Sequence, residues 1–451
     1  MRPSPFLKKI TSWRLLPLVL LLGCGGSGPP KKYGSTAETT SPAGTSATAP
    51  SPASAAVPAL RLYLESSASM FPYEATGTDG QFKAALQNLV DNFEGLRANS
   101  TQFYTVNDAV YPLKISTSQF IKTSDLFSLT RGVGDSKYTD FEKIFREVLR
   151  DLPEGCVSVL VSDLIYSDKF MQPGTGQKNL NAIQSLMQNV FAGAAKNTSL
   201  LIVKASAGFK GPYFSISGGK KNYDGDRPYY LCIAARHATM RALLTKPENE
   251  TLRRFDQLPG YQNQLFFGPD QAPFYTVLLR DPNQKGRMVQ ESGEMQGNKK
   301  AGSTVVRKLD NVEPSPAGRE LAVVVGVDLG GYALPEATKT DPAAYAVESA
   351  ENFKVKKVEA VAGSGLPYTH KLVLSTTEPR TGGQRDVTVG LRRVFPPAWV
   401  RSTGVSDDAN VNAASFAKTT FGFTNLTQGI ENAYNPGQRP EHFRLNISLN
   451  N

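Results

Sequence analysis

An α/β fold with a doubly wound, mostly parallel sheet, followed by a β-rich sandwich, is what the residue pattern predicts for this chain of 451 residues. Three observations carry the prediction. Over residues 59–247, short apolar runs alternate with stripes at helical spacing, the signature of strands covered on both faces by helices. Over 248–451, strand-like runs punctuated by Gly and Pro take over. Finally, the first apolar run, Leu60 to Leu64, breaks into Glu65, Ser66, Ser67, Ala68 and Ser69, at the kind of strand end where α/β sheets hold ligands.

The chain opens with Arg2, Lys8, Lys9 and Arg14 and then the apolar stretch Leu15 to Leu22, too short to remain as a membrane-spanning helix. It reads as a signal peptide over 1–23. The sequence Leu21-Leu22-Gly23-Cys24 resembles the lipobox of bacterial lipoproteins. That resemblance implies cleavage before Cys24 and lipidation of its thiol, hence a lipid-anchored envelope protein. Gly25 rather than Asp after the cysteine favours the outer membrane by the sorting rule of some Gram-negative bacteria. Losing 1–23 removes four basic and no acidic residues, which takes the formal charge from +10 to +6. So mild an imbalance gives no reason to expect nucleic acid as a partner. Residues 24–58, rich in Gly, Ser, Thr, Ala and Pro, have almost nothing to bury and read as a disordered tether.

Phe82, Leu86, Leu89 and Phe93 predict a helix after the serine loop. Phe103 to Val106 and Val110 to Ile115 predict a hairpin about Asn107 and Asp108, with Pro112 confining the second strand to an edge. Ser118 to Leu129 fits a helix or a loop. Phe141, Ile144, Phe145 and Val148 form another helical stripe, entered through Thr139 and Asp140, of which Thr139 is placed to cap it. Val157 to Ser162 is a strand that ends on Asp163. Leu180 to Phe191 predicts a helix, Leu200 to Val203 and Tyr229 to Ala234 strands, and Ala238 to Leu244 a closing helix. Cys156 and Cys232 are expected as buried free thiols, kept apart by the Leu200–Val203 strand.

Past Pro247, the strands expected are Leu321 to Val327, Phe353 to Val361, His370 to Leu374 and Val387 to Val394; residues 250–315 give no clear period. Phe423, Leu426, Ile430 and Tyr434 form a helical stripe that reads as a docking face. Phe443, Leu445, Ile447 and Leu449 alternate as a final strand. The sandwich expected here is immunoglobulin-like.

Glu65, Ser67 and Ser69, each two residues from the next, can aim three oxygens at one point, a hard-ligand set suited to Mg²⁺ or Mn²⁺. This loop, with Thr139 ahead of a helix and Asp163 after a strand, resembles the metal-ion-dependent adhesion site of von Willebrand factor A domains. The first loop of that family reads Asp-x-Ser-x-Ser, so Glu65 departs from it by one methylene. The resemblance implies that Glu65, Ser67, Ser69, Thr139 and Asp163 hold the cation and that an acidic residue of a protein partner completes its shell. Glu65 either ligates directly in place of a water or leaves the site empty.

Three functions compete: a protein-binding module using the metal, a metal-free scaffold of an envelope complex, and a metal-assisted hydrolase. The last lacks a base, since His237 lies far along the sequence from these loops and neither Asp135 nor Asp168 is singled out. No enzyme is therefore expected.

Overall fold

Leu60, Leu62 and Leu64 bury against one layer of side chains and Tyr63 against another, so Ala59–Glu65 (β1) lies inside a sheet covered on both faces. The computed structural model describes residues 58–97, 100–150, 152–165, 176–216, 219–269, 272–290, 305–317, 319–361, 365–380 and 382–450. The expected leader, Cys24 and all of the expected tether but Pro58 lie outside them, as does Asp168. The described residues belong to one compact unit, Ser54–Asn451.

Seven strands form the main sheet: β1, β2 (Thr101–Val106), β3 (Val110–Leu113), β4 (Cys156–Ser162), β5 (Thr198–Ser215), β6 (Gly219–Arg236) and β7 (Tyr261–Phe267). Their order is β3-β2-β1-β4-β6-β5-β7. Helices α1 (Gln81–Leu96) and α5 (His237–Thr245) cover one face. Helices α3 (Phe141–Leu149) and α4 (Gly176–Ala194) cover the other, and α2 (Thr117–Lys122) lies within the stretch whose pattern was open.

The sheet is mixed rather than mostly parallel. Only the β1–β2 and β1–β4 pairs are parallel; β2–β3, β4–β6, β5–β6 and β5–β7 are antiparallel. The reason is local. The expected separate strands at Leu200 and Tyr229 are the base of one long hairpin, paired from Thr198↔Arg236 out to Ser215↔Gly219, and a hairpin is antiparallel by construction. Beyond Lys204 and Tyr230 this hairpin outruns β4 and projects past the carboxyl ends of β1 and β4. The arrangement also sets β6, not β5, beside β4. Cys156 and Cys232 are buried free thiols on neighbouring strands, not separated by a third.

Two further sheets share one core. One has the order β12 (Tyr345–Glu348), β15 (Arg385–Arg392), β18 (Glu441–Leu449), β10 (Lys308–Glu313), β9 (Arg287–Gln290). The other runs β13 (Lys354–Ala360), β14 (His370–Thr376), β11 (Leu321–Val327), β8 (Tyr275–Val277). Val323, Val325, Leu372 and Leu374 of the second meet Val387, Val389, Leu445 and Ile447 of the first, which makes a sandwich.

The boundary expected at residue 247 does not part the chain cleanly. β7 completes the first sheet from beyond it, and the segment after β15 returns to that sheet through α7 (Ala398–Thr403) and α8 (Phe423–Tyr434); α6 (Glu336–Thr340) belongs to the loop between β11 and β12. Phe423, Leu426, Ile430 and Tyr434 bury with Ile183, Met187 and Phe191 of α4, so the stripe docks on the first sheet. Contact is close there: a Cβ on Gly429 would sit 2.2 Å from the Gln184 carbonyl oxygen. Between α7 and α8, the two-residue strands β16 (Gly404–Val405) and β17 (Thr420–Phe421) pair in parallel.

Candidate metal centre

Five side chains expected to meet do so at the carboxyl ends of β1 and β4. Glu65 closes β1 and Asp163 follows β4, strands paired side by side up to Leu64↔Val161. Glu65, Ser67, Thr139 and Asp163 are buried, and Ser69 is half-buried. Thr139 does not cap the following helix. Asp140 does, accepting from the Lys143 amide at 3.1 Å, which leaves the Thr139 hydroxyl to donate to Glu65 Oε1 at 2.7 Å. Ser67 Oγ and Ser69 Oγ lie 2.9 Å apart.

After β4 the chain turns sharply. Ser162 Oγ accepts from the Leu164 amide at 2.8 Å and Asp163 Oδ1 from the Ile165 amide at 3.0 Å. Buried Leu164 takes φ 53°, a left-handed conformation that costs a branched-chain residue about 1–2 kcal/mol. The strained turn points Asp163 back toward the end of β1.

Two oxygens remain without a hydrogen-bond partner although no water reaches them, Glu65 Oε2 and Asp163 Oδ2. Burial raises the Glu65 pKa to about 8, helped by the Asp163 charge, while hydroxyls of Ser162, Thr139 and Ser67 oppose the rise. The Ser162 and Ser67 hydroxyls lie near enough to ease the charge without meeting Oε2 in hydrogen-bond geometry. Asp163 is also raised, by burial above all; the Ile165 amide, the nearby Ser69 hydroxyl and Arg227 hold it back. Two like charges this deep cannot both persist near neutral pH without a cation, so one carboxyl keeps its proton.

The residues therefore fit a small hard cation: two carboxylate oxygens are free for it, and the neutral hydroxyls of Ser67, Ser69 and Thr139 line the same place. Among the described residues no group of three or more His, Cys, Asp or Glu side chains could hold a metal, so any ion here relies on hydroxyl oxygens. Asp135 caps its own turn through the Lys137 amide. His237 bonds Ser199 Oγ through Nδ1 at 2.8 Å, at the opposite end of the sheet, since Ala235 on β6 pairs with Val157 at the start of β4.

Sequence reasoning missed the frame behind the loop. Fully buried Asn107 donates to Ser66 Oγ at 3.2 Å and to the Val133 carbonyl at 2.8 Å, and its own carbonyl accepts from the Asp140 amide. Thr105 Oγ1 donates to Ser66 Oγ at 2.8 Å, and the Ala68 amide donates to the Ser136 carbonyl. One asparagine thus fastens the Ser loop to the Thr139 loop. The turn residues Asn107 and Asp108 were visible in the sequence, but not that their strand end lies beside β1.

Comparison with family models, with curated proteins and with solved structures returned no match for this chain.

Proposed function

We propose that this chain is a lipid-anchored envelope protein that binds a protein partner through a divalent-cation site of von Willebrand factor A type. The observation that carries the reading is the pair of buried carboxylates, Glu65 and Asp163, each with one oxygen unsatisfied, at a point lined by three hydroxyls. Glu65, Asp163, Ser67, Ser69 and Thr139 would hold Mg²⁺ or Mn²⁺. When bound, the ion supplies an electrophilic point for a carboxylate of the partner. The chain's own residues set the conditions: Thr139 orients Glu65, Asn107 fixes the loops, and burial strips water from the acids. The proposed anchor is supported by the likeness of Leu21 to Cys24 to a lipobox, and the proposed outer-membrane location by Gly25 after the cysteine.

A metal-free scaffold is the second reading. It is favoured by the satisfaction of Ser67 by Ser69 and of Thr139 by Glu65 without any ion. One experiment separates the two. Immobilised chain is offered solubilised envelope proteins with Mn²⁺ or with chelator, using wild type and Asp163→Ala. A partner retained only by wild type with Mn²⁺ supports the cation site. Identical retention under all four conditions supports the scaffold. In the same strain, Cys24→Ser should release the protein from the membrane fraction; unchanged fractionation contradicts the anchor.

A further inference from the structure

A cavity of about 930 Å³ lies between β7 and the connections of the sandwich. Tyr261 and every residue from Asn263 to Phe267 line it. Side chains alternate across a strand, and here Tyr261 and Phe266 pack on one layer while Leu265 and Phe267 pack on the other. Residues of both faces can line one cavity only if it runs along the edge of the strand. β7 is the last strand of its sheet, bonded on one side to β5, and all its residues but Phe267 remain half-exposed. Its outer row of amides and carbonyls therefore opens into the cavity.

The far wall is basic and aromatic. Arg392 is exposed and pairs with no carboxylate among the described residues, and Trp399 and Phe395 line the same cavity. Arg393 gives one nitrogen to Glu431 at 3.1 Å, but its buried Nε has no partner. The wall acids are mostly engaged: Glu431 by Arg393 and Asn435, Glu336 by His370 and Lys339, Asp341 in capping its own turn. Asp256 alone is left over, so cationic donors outnumber free carboxylates.

We propose that this cleft binds an extended, acidic peptide segment of a protein partner, which adds as an eighth strand along β7 with a carboxylate on Arg392 and apolar side chains against Trp399 and Phe395. Main-chain bonds to the strand edge supply affinity, and the wall reads alternate side chains. Seven residues of β7 span about 24 Å, the reach of a heptapeptide. The site is four strands from β1 and three from β4, hence about 19 Å across the sheet from the Glu65 strand and about 14 Å from the Asp163 strand, and does not depend on the two carboxylates.

The test is to pan linear heptapeptides displayed on phage against the immobilised full-length chain, then to titrate fluorescein-labelled copies of the enriched sequences. Enriched peptides should carry Asp or Glu, and Arg392→Glu should weaken them about tenfold or more. N-methylating alternate residues should abolish binding in one register and spare it in the other, because only every second amide faces the edge strand. Binding should persist with chelator and with Asp163→Ala. No enrichment over a blank surface, equal tolerance of both N-methylated registers, indifference to Arg392→Glu, or dependence on Asp163 would each overturn the proposal.

Discussion

Two groups of buried charge lie within a few strands of each other, and they are provided for differently. Arg227 and Lys204, on the long hairpin, are both buried. Arg227 lies with its guanidinium 4.1 Å from the Phe416 ring and 4.8 Å from that of Tyr213, and it donates to the Phe416 carbonyl. Lys204 donates to Thr403 Oγ1 at 2.8 Å and to the Lys418 carbonyl at 2.9 Å. Every one of these acceptors but Tyr213 comes from the segment between β15 and α8, folded back over the sheet. The acids receive no such care. Glu65 has one hydroxyl, Asp163 one amide, and Arg227 sits close enough to ease the Asp163 charge while giving its hydrogen bond elsewhere. A fold that finds acceptors for Arg227 and Lys204 yet leaves one oxygen each of Glu65 and Asp163 bare has room at the acids for a cation it does not itself carry.

Breaking the satisfied side should cost most. Arg227→Ala removes a fully buried side chain together with its ring and carbonyl contacts, and should lower stability by about 3 kcal/mol or more in denaturant unfolding. A loss below about 1 kcal/mol would mean that the hairpin and the C-terminal segment are not held as described. The unsatisfied side should gain instead. Mg²⁺ or Mn²⁺ at a hundredfold excess over Kd should add about 2.7 kcal/mol, and Asp163→Ala should abolish that gain. Gly429→Ala tests the helix that brings the returning segment back. A methyl 2.2 Å from the Gln184 carbonyl must part α8 from α4, at about 2 kcal/mol, seen as a lowered Tm. An unchanged Tm would mean that this contact is loose.

A further test is in pH. In the unfolded chain Glu65 ionises near 4.5, in the folded chain only near 8. Its contribution to stability is therefore whole below about pH 4.5 and is lost as pH rises toward 8. In chelator, wild type should lose stability relative to Glu65→Gln between pH 6 and 8, and saturating Mn²⁺ should cancel the loss. A difference between the two proteins that does not change with pH would place Glu65 in a more solvated setting than its burial implies.

Much of this was legible in the residues. Periodicity marked β1, β4, α1, α3 and the final strand, because each buries an unbroken face of its own. Spacing alone let Glu65, Ser67 and Ser69 converge; Thr139 and Asp163 joined them only through the resemblance to the von Willebrand factor A metal site, since by position each could equally have been a cap or turn residue. The hairpin was not legible as such. Its buried base reads like two parallel-sheet strands, and nothing local to Leu200 or Tyr229 tells which neighbour either will take. Arg227 was invisible for a related reason: between Asp226 and Pro228 nothing local marks it as buried, and Phe416, which accepts its hydrogen bond, lies 189 residues later. The stripe of α8 was read as a docking face, but its partner α4 lies on the far side of the whole sandwich sequence.

The central claim is that Glu65 and Asp163 wait for a cation, and titration calorimetry tests it most directly. Metal-stripped protein is titrated with Mn²⁺ and Mg²⁺ at pH 7 in two buffers of different ionisation enthalpy. The account predicts binding at one site with release of about one proton, because Glu65 must give up the proton it holds below pH 8. It also predicts tighter or unchanged binding in Glu65→Asp and none in Asp163→Ala. Absence of binding at millimolar concentration to both wild type and Glu65→Asp would contradict it, and would leave the two carboxyls as a proton-sharing pair in a metal-free scaffold.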